Sequence, residues 1–179
     1  AVDAFRGTFP AVVDHWYDID AMMRQFARKE RTLGTVGRLQ FARHGAYVVI
    51  RLPSGRPLWY LDPQEKMVER EDPETGETYK SRGLRVLSHA PNGSILTEYV
   101  YGGKLFENVT QAVAADVMFH GMKPAVRAGY KIILSVHDEL VAEGTGDIEH
   151  FNKCLCELPD WAEGLPVAAK GWTGERYGK

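Results

Sequence analysis

The chain has 179 residues, 44% of them hydrophobic and 26% charged, with a formal net charge of −2. That is enough apolar material for one ordinary domain with its own core, and too much to leave the chain disordered. The charge balance excludes the global basic signature of a nucleic-acid binder, although a local basic groove can coexist with an acidic metal site.

No run approaches the ~18 apolar residues of a membrane span, and the start does not read as a signal peptide. A soluble, cytoplasmic protein with no membrane partner is expected. The first residue is Ala1 rather than Met, which fits a processed or excised piece. Cys154 and Cys156 form a lone C-x-C. That spacing is poor for an unstrained disulfide, and no second pair completes a zinc site, so two reduced thiols on a helix are expected.

In chain order, FPAVVDHWYDIDAMMRQFARKE carries the first strong pattern. Val12, Val13, Trp16, Ile19, Met22, Met23 and Phe26 fall near one face of a helix over 10–30. Pro10 sits at its start, where a proline is tolerated. Arg24, Arg28, Lys29 and Arg31 crowd its end, where cations suit the helix dipole or a phosphate. Hairpins are expected over about 36–100. GRLQFARHG and AYVVIRLPSGRPLWYLDP read as strands with a turn at Pro53-Ser54-Gly55. The polar segment 66–99 admits more hairpins, with turns at Glu74-Thr75-Gly76 and Pro91-Asn92-Gly93-Ser94, or an extended loop.

A long helix is expected over 103–128, with Leu105, Phe106, Val109, Val113, Met118 and Met122 on a broad apolar face. Ala112, Ala114 and Ala115 allow close packing on it. Pro124 should kink or break this helix, and Gly129 should end it. A hairpin over 131–143 follows. Residues 147–179 then read as a helix with Ile148, Phe151, Leu155 and Leu158 inward, and a last strand from Leu165 to Ala169. The pattern is α+β, a mostly antiparallel sheet with helices packed on it.

The hairpin over 131–143 carries the chemistry. His137, Asp138 and Glu139 sit between two apolar runs, at the tip of strands expected to be buried. Adjacent carboxylates repel one another unless something positive is present. A hard divalent cation such as Mg²⁺ is the natural partner, and buried arms would make a rigid mounting for it. A charged turn with no ligand is the alternative. His15, His44, His89, His120 and His150 are scattered, and surface or packing roles suit them. Trp16, Trp59, Trp161 and Trp172 read as core or interface residues rather than base-stacking platforms.

Strand, H-D-E, strand, behind a long helix carrying N-x-x-Q, resembles the C-terminal palm subdomain of family A DNA polymerases. VHDEL looks like that family's motif C. YGGKLFENVTQAVAADVMFHGM followed by AGYKIILSVHDELVAE is similar to phage-type members. AVDAFRGTFPAVVDHWYDID looks like the segment after the fingers helix, LPSGRPLWY like the next hairpin, and LPDWAEGLPVAAKGWTGERYGK like the extreme C-terminus. The resemblance implies template-dependent nucleotidyl transfer by two Mg²⁺ ions. It implies that Asp138 is a metal ligand, that Glu139 is the adjacent, more peripheral acid, and that His137 lies near the primer terminus. It makes Gln111 a minor-groove contact, where an amide can test pair shape without reading sequence. Asn108, Lys104 and Tyr101 are further DNA contacts on the same resemblance, each set against a structural or capping role.

Two parts of the family pattern are missing. No strand carries D-x-S-x-x-E, the source of the other metal-binding aspartate. No R-x₃-K-x₇-YG fingers helix holds the triphosphate, and there is neither exonuclease domain nor thumb. The metal site would therefore be completed by a residue outside this chain. The implied partners are primer-template DNA, a deoxynucleoside triphosphate and a complementary polymerase fragment, in the host cytoplasm if the gene is a phage's. Two alternatives stand beside this: a non-catalytic DNA-binding or assembly module that keeps the palm shape, and a metal-dependent nuclease using the same three residues.

Overall fold

A computed structural model describes residues 2–72, 75–144 and 146–177. It divides into two compact units, Ala1–Thr110 and Gln111–Lys179. The elements are α+β with a mostly antiparallel sheet, as expected.

The first unit opens with α1 (Val2–Thr8) and α2 (Pro10–Ala27). Pro10 takes the first helical position, where its missing N–H costs nothing. The apolar stripe is as expected, with Ile19, Met23 and Phe26 fully buried. Burying each contributes roughly 1.5–3 kcal/mol. The helix stops short of residue 30 because Lys29 turns left-handed, at φ 62°. Its last carbonyls are bonded by Arg28 N–H, to Arg24 O, and by the Arg43 guanidinium, to Phe26 O.

α2 packs on a six-stranded sheet that meanders in chain order: β1 (Leu33–Val36), β2 (Leu39–His44), β3 (Tyr47–Arg51), β4 (Pro57–Glu71), β5 (Thr78–His89) and β6 (Ile95–Val100). Phe26 meets Phe41 of β2 with ring centres 6.1 Å apart. Gly34 lets β1 come close, since a Cβ there would fall 2.6 Å from Met22 Sδ. Arg24 and Arg28 of the helix both bond Glu65 of β4, at 2.8 and 3.2 Å.

The polar segment is not a loop. It forms the end of β4, all of β5 and most of β6, because Leu84 and Val86, with Val100 just beyond it, point inward while charged neighbours face out. β4 is broken by a register shift between Leu61 and Gln64, where Asp62 is left-handed at φ 45° and Pro63 has no N–H to give the ladder. The Pro91–Ser94 turn forms, with Gly93 at φ 81° bonding Ala90 O. Of the other expected turn, Glu74 lies outside the described residues, while Asp72 N–H to Glu77 O, 2.9 Å, closes the hairpin. β1 was not anticipated, because four residues interrupted by Gly34 hold too little alternation to register.

α3 (Gly102–Arg127) runs on through Pro124. The proline sits in the last turn, so the helix loses only one bond and is neither broken nor ended there. Gly129, at φ 95°, ends it instead. Gly129 N–H bonds Val126 O and Tyr130 N–H bonds Ala125 O, the paired bonds of a Schellman cap.

In the second unit, β7 (Lys131–Val136) and β8 (Glu139–Glu143) form a two-stranded sheet. α4 (Ile148–Leu155) follows, N-capped by Asp147, whose side chain accepts from Glu149 N–H at 2.9 Å. Phe151 and Cys154 of α4 and Ala125 of α3 form a buried cluster, and Tyr130, Ile132, Leu140, Ala142, Ile148 and Leu155 pack on it. Both cysteines are reduced, Cys154 within the helix and Cys156 just past it at the C-cap. Leu165–Ala169 is not a strand. Its N–H groups go elsewhere, Ala169 to Cys156 Sγ and Val167 to Leu165 O. Of the tryptophans expected in the core or at an interface, Trp59 is 53% exposed and Trp172 59%, so neither is a core residue of this chain. Among the described residues, no helix is long and apolar enough to cross a membrane.

Candidate metal centre at the β7–β8 turn

β7 and β8 are joined by His137 and Asp138 alone, since Val136 already pairs with Glu139. A two-residue turn matched to strand twist needs a left-handed residue at its first or both central positions, usually glycine. Here His137 takes it, at φ 53°. Such a conformation costs a non-glycine residue about 1 kcal/mol, although histidine is among the side chains that tolerate it best. The turn sets His137 and Asp138 out in solvent and leaves Glu139, the first residue of β8, half-buried.

The strands are less enclosed than the sequence suggests. Ile132 pairs with Ala142, but Leu134 pairs with Val141, so Ile133 is an extra residue in β7. The bulge flips the later side chains to the opposite face. Ile132, Leu140 and Ala142 thus pack on the α3–α4 cluster, while Leu134, Val136, Glu139 and Val141 share the other face. Ile133 is 54% exposed and Leu134 43%, so the expectation of two buried arms fails. A two-stranded sheet resting on one cluster has only one covered face.

The two acids have different surroundings. Glu139 Oε2 accepts from the Tyr177 hydroxyl at 2.8 Å. The two residues are 38 apart in the chain, and nothing in the sequence signals their contact. Asp138 stands in the turn itself. The other end of the hairpin is tied by Lys131 and Glu143, 2.8 Å apart; that bond holds the Glu143 carboxyl below its ordinary range and raises the Lys131 ammonium. Among the described residues, no group of three His, Cys, Asp or Glu is placed to hold a metal ion. Two carboxylates with water can still suffice, because Mg²⁺ retains several waters and takes one or two carboxylates.

The remaining predicted residues lie on α3. Lys104, Asn108 and Gln111 follow i, i+4, i+7 spacing and so share one helix face. Lys104 is half-buried and Gln111 exposed. Asn108 is half-buried, and its Nδ2 donates to the Tyr60 hydroxyl at 3.2 Å. Burial pushes the Tyr60 phenol above its ordinary range, against the pull of that amide. Tyr101, just before the helix, is 62% exposed.

No family model matches the chain, and no solved structure does. Among curated proteins, a DNA polymerase of Bacillus phage SP02 is 32% identical over 181 aligned residues, which take in 99% of this chain. The chain spans about 27% of that polymerase's length, and what it is similar to is therefore a part of a DNA polymerase.

Proposed function

We propose that the chain is the C-terminal palm portion of a family A DNA polymerase and supplies its motif C carboxylate. The observation that carries this reading is the likeness of nearly the whole chain to one stretch of a phage DNA polymerase. The His-Asp-Glu tripeptide on a two-residue turn supports it, because that turn holds Asp138 in solvent on a short backbone.

In this reading Asp138 binds a divalent cation, with Glu139 as the adjacent acid, oriented by Tyr177. Bound Mg²⁺ would activate the primer 3′-hydroxyl and stabilise the leaving pyrophosphate. His137 faces the primer terminus, and Gln111 contacts the minor groove of the new pair. Lys104 and Asn108 line the same helix face, although Asn108 also anchors Tyr60. The second aspartate and the triphosphate-binding cations come from a complementary segment, on the same polypeptide or another. Without them, one carboxylate pair cannot stabilise the charge that develops on the transferring phosphoryl group. The open apolar face of the hairpin, with Leu134 exposed, is where such a segment would gain burial. The same face also suits a non-catalytic assembly module.

The test is primer extension with this chain, with a separately expressed fragment bearing the two missing motifs, and with both. Extension only in the mixture supports the reading. A mixture that assembles by gel filtration yet extends nothing favours the assembly module.

A further inference from the structure

Residues 31–61 contain five arginines and no aspartate or glutamate, in a chain whose net charge is −2. This stretch folds as β1, β2, β3 and the start of β4. α2 covers one face of these strands, the face of Gly34, Phe41 and Ile50. The opposite face carries aromatic and basic side chains together. The register sets Trp59 across from Val49, with Tyr47 and Arg51 two residues to either side on β3 and Gln40 across from Arg51. Beside Trp59, and not lined by it, an open groove of about 490 Å³ at the edge of these strands takes in Arg31, Leu33, Gln40, Val49 and Arg51 together with Met22 and Phe41 of the covered side. Among the described residues no salt bridge involves Arg31 or Arg51, and the one side-chain bond of the Arg51 guanidinium is to Gly55 O, at 3.4 Å.

Trp59 is the centre of the face. It is 53% exposed. Tyr47 and His44 flank it at ring distances of 5.6 and 6.0 Å, with interplanar angles of 90° and 77°. Neither ring stacks on the indole, yet both restrain it. Leu33, Tyr47 and Trp59 are exposed together on this face, and an exposed apolar patch rimmed by polar residues marks an interaction site.

We propose that this open face binds single-stranded nucleic acid, with a base stacked on Trp59 and phosphates held by Arg31 and Arg51. Flat rings on a sheet accept the π-face of any base, and arginines beside them track the backbone. Four strands at about 4.8 Å spacing span roughly 14 Å, room for two or three nucleotides. A duplex hides its base faces and gains only the arginines. An acidic peptide would likewise use the arginines but leave the indole idle. The site lies on the first unit and stands whether or not the β7–β8 turn binds metal.

The experiment is fluorescence anisotropy of a labelled ten-nucleotide oligo-dT titrated with the full chain at several salt concentrations. Trp59→Ala should weaken binding about tenfold, while Trp59→Phe, which keeps a stacking face, should stay within about threefold. Arg31→Ala and Arg51→Ala should each flatten the logarithmic salt slope by about 0.7. Competition by single-stranded RNA against single-stranded DNA tells which sugar is preferred, and tight binding of either supports the proposal. Circular dichroism checks that each variant is folded. Binding unaffected by Trp59→Ala, no binding of either single strand, or an acidic peptide that binds through Trp59 in their place would each overturn it.

Discussion

Gly121→Ala should destabilise the chain, although helix propensity alone says the opposite. In an exposed helix interior, glycine to alanine gains about 1 kcal/mol. Gly121 is buried inside α3, and a Cβ there would lie 2.6, 2.9 and 3.0 Å from Leu155 O, Cα and C. All three are backbone atoms, so no side chain can rotate away. α4 would have to retreat from α3, opening the cluster of Ala125, Phe151 and Cys154 on which the hairpin rests. Overpacking of this kind costs about 3 kcal/mol at its upper end. Set against the propensity gain, the net loss is about 2 kcal/mol. Urea unfolding of the full chain followed by far-ultraviolet circular dichroism measures it, with Lys123→Ala on the exposed side of the same helix as the near-neutral control. A lower midpoint at unchanged slope is expected. A midpoint equal to or above wild type would mean that α3 and α4 do not approach as described, and the support for the hairpin would have to be redrawn.

Other outcomes follow from the same geometry. Arg24 first, and then Arg28, hold the Glu65 carboxyl below its ordinary range. Their tie between α2 and β4 should thus be fully present above the ordinary glutamate value of 4.5 and lost as pH falls through the lower folded value. A double-mutant cycle on Arg24 and Glu65 should give about 1 kcal/mol at pH 7 and shrink toward zero in acid; a coupling that grows on acidification would contradict it. His137→Gly removes a left-handed histidine, so thermal unfolding should be unchanged or up to about 1 kcal/mol more stable, while primer extension in the assembled mixture falls. A large loss of stability would show that the histidine holds the turn.

Much of this was legible in the sequence, for identifiable reasons. α2 announces itself because Ile19, Met23 and Phe26 recur at helical spacing and bury one stripe. The hairpin tip is legible because polar residues interrupt two apolar runs. The start of β4 is legible in RPLWYLDP, whereas its end, β5 and β6 are obscure because strands with one wet face carry many charges, as in the exposed Lys66, Glu69 and Arg70. The bulge at Ile133 left no trace, and it is what turns Leu134 away from the core. The contacts of Tyr177 with Glu139 and of Asn108 with Tyr60 join residues 38 and 48 apart, beyond any local pattern. The basic sheet face did leave a signal, the absence of any acid between Arg31 and Leu61, which whole-chain charge conceals.

The proposed role of Asp138 as a metal ligand in nucleotidyl transfer can be tested by one rate comparison. Single-turnover primer extension would be measured in the assembled mixture with wild-type chain and with Asp138→Ala, at equal DNA occupancy. The account predicts a loss on the order of 10³-fold in the rate of the chemical step, with DNA binding little changed. An Asp138→Ala rate within about threefold of wild type would contradict it, for the turn would then carry no group that the reaction needs.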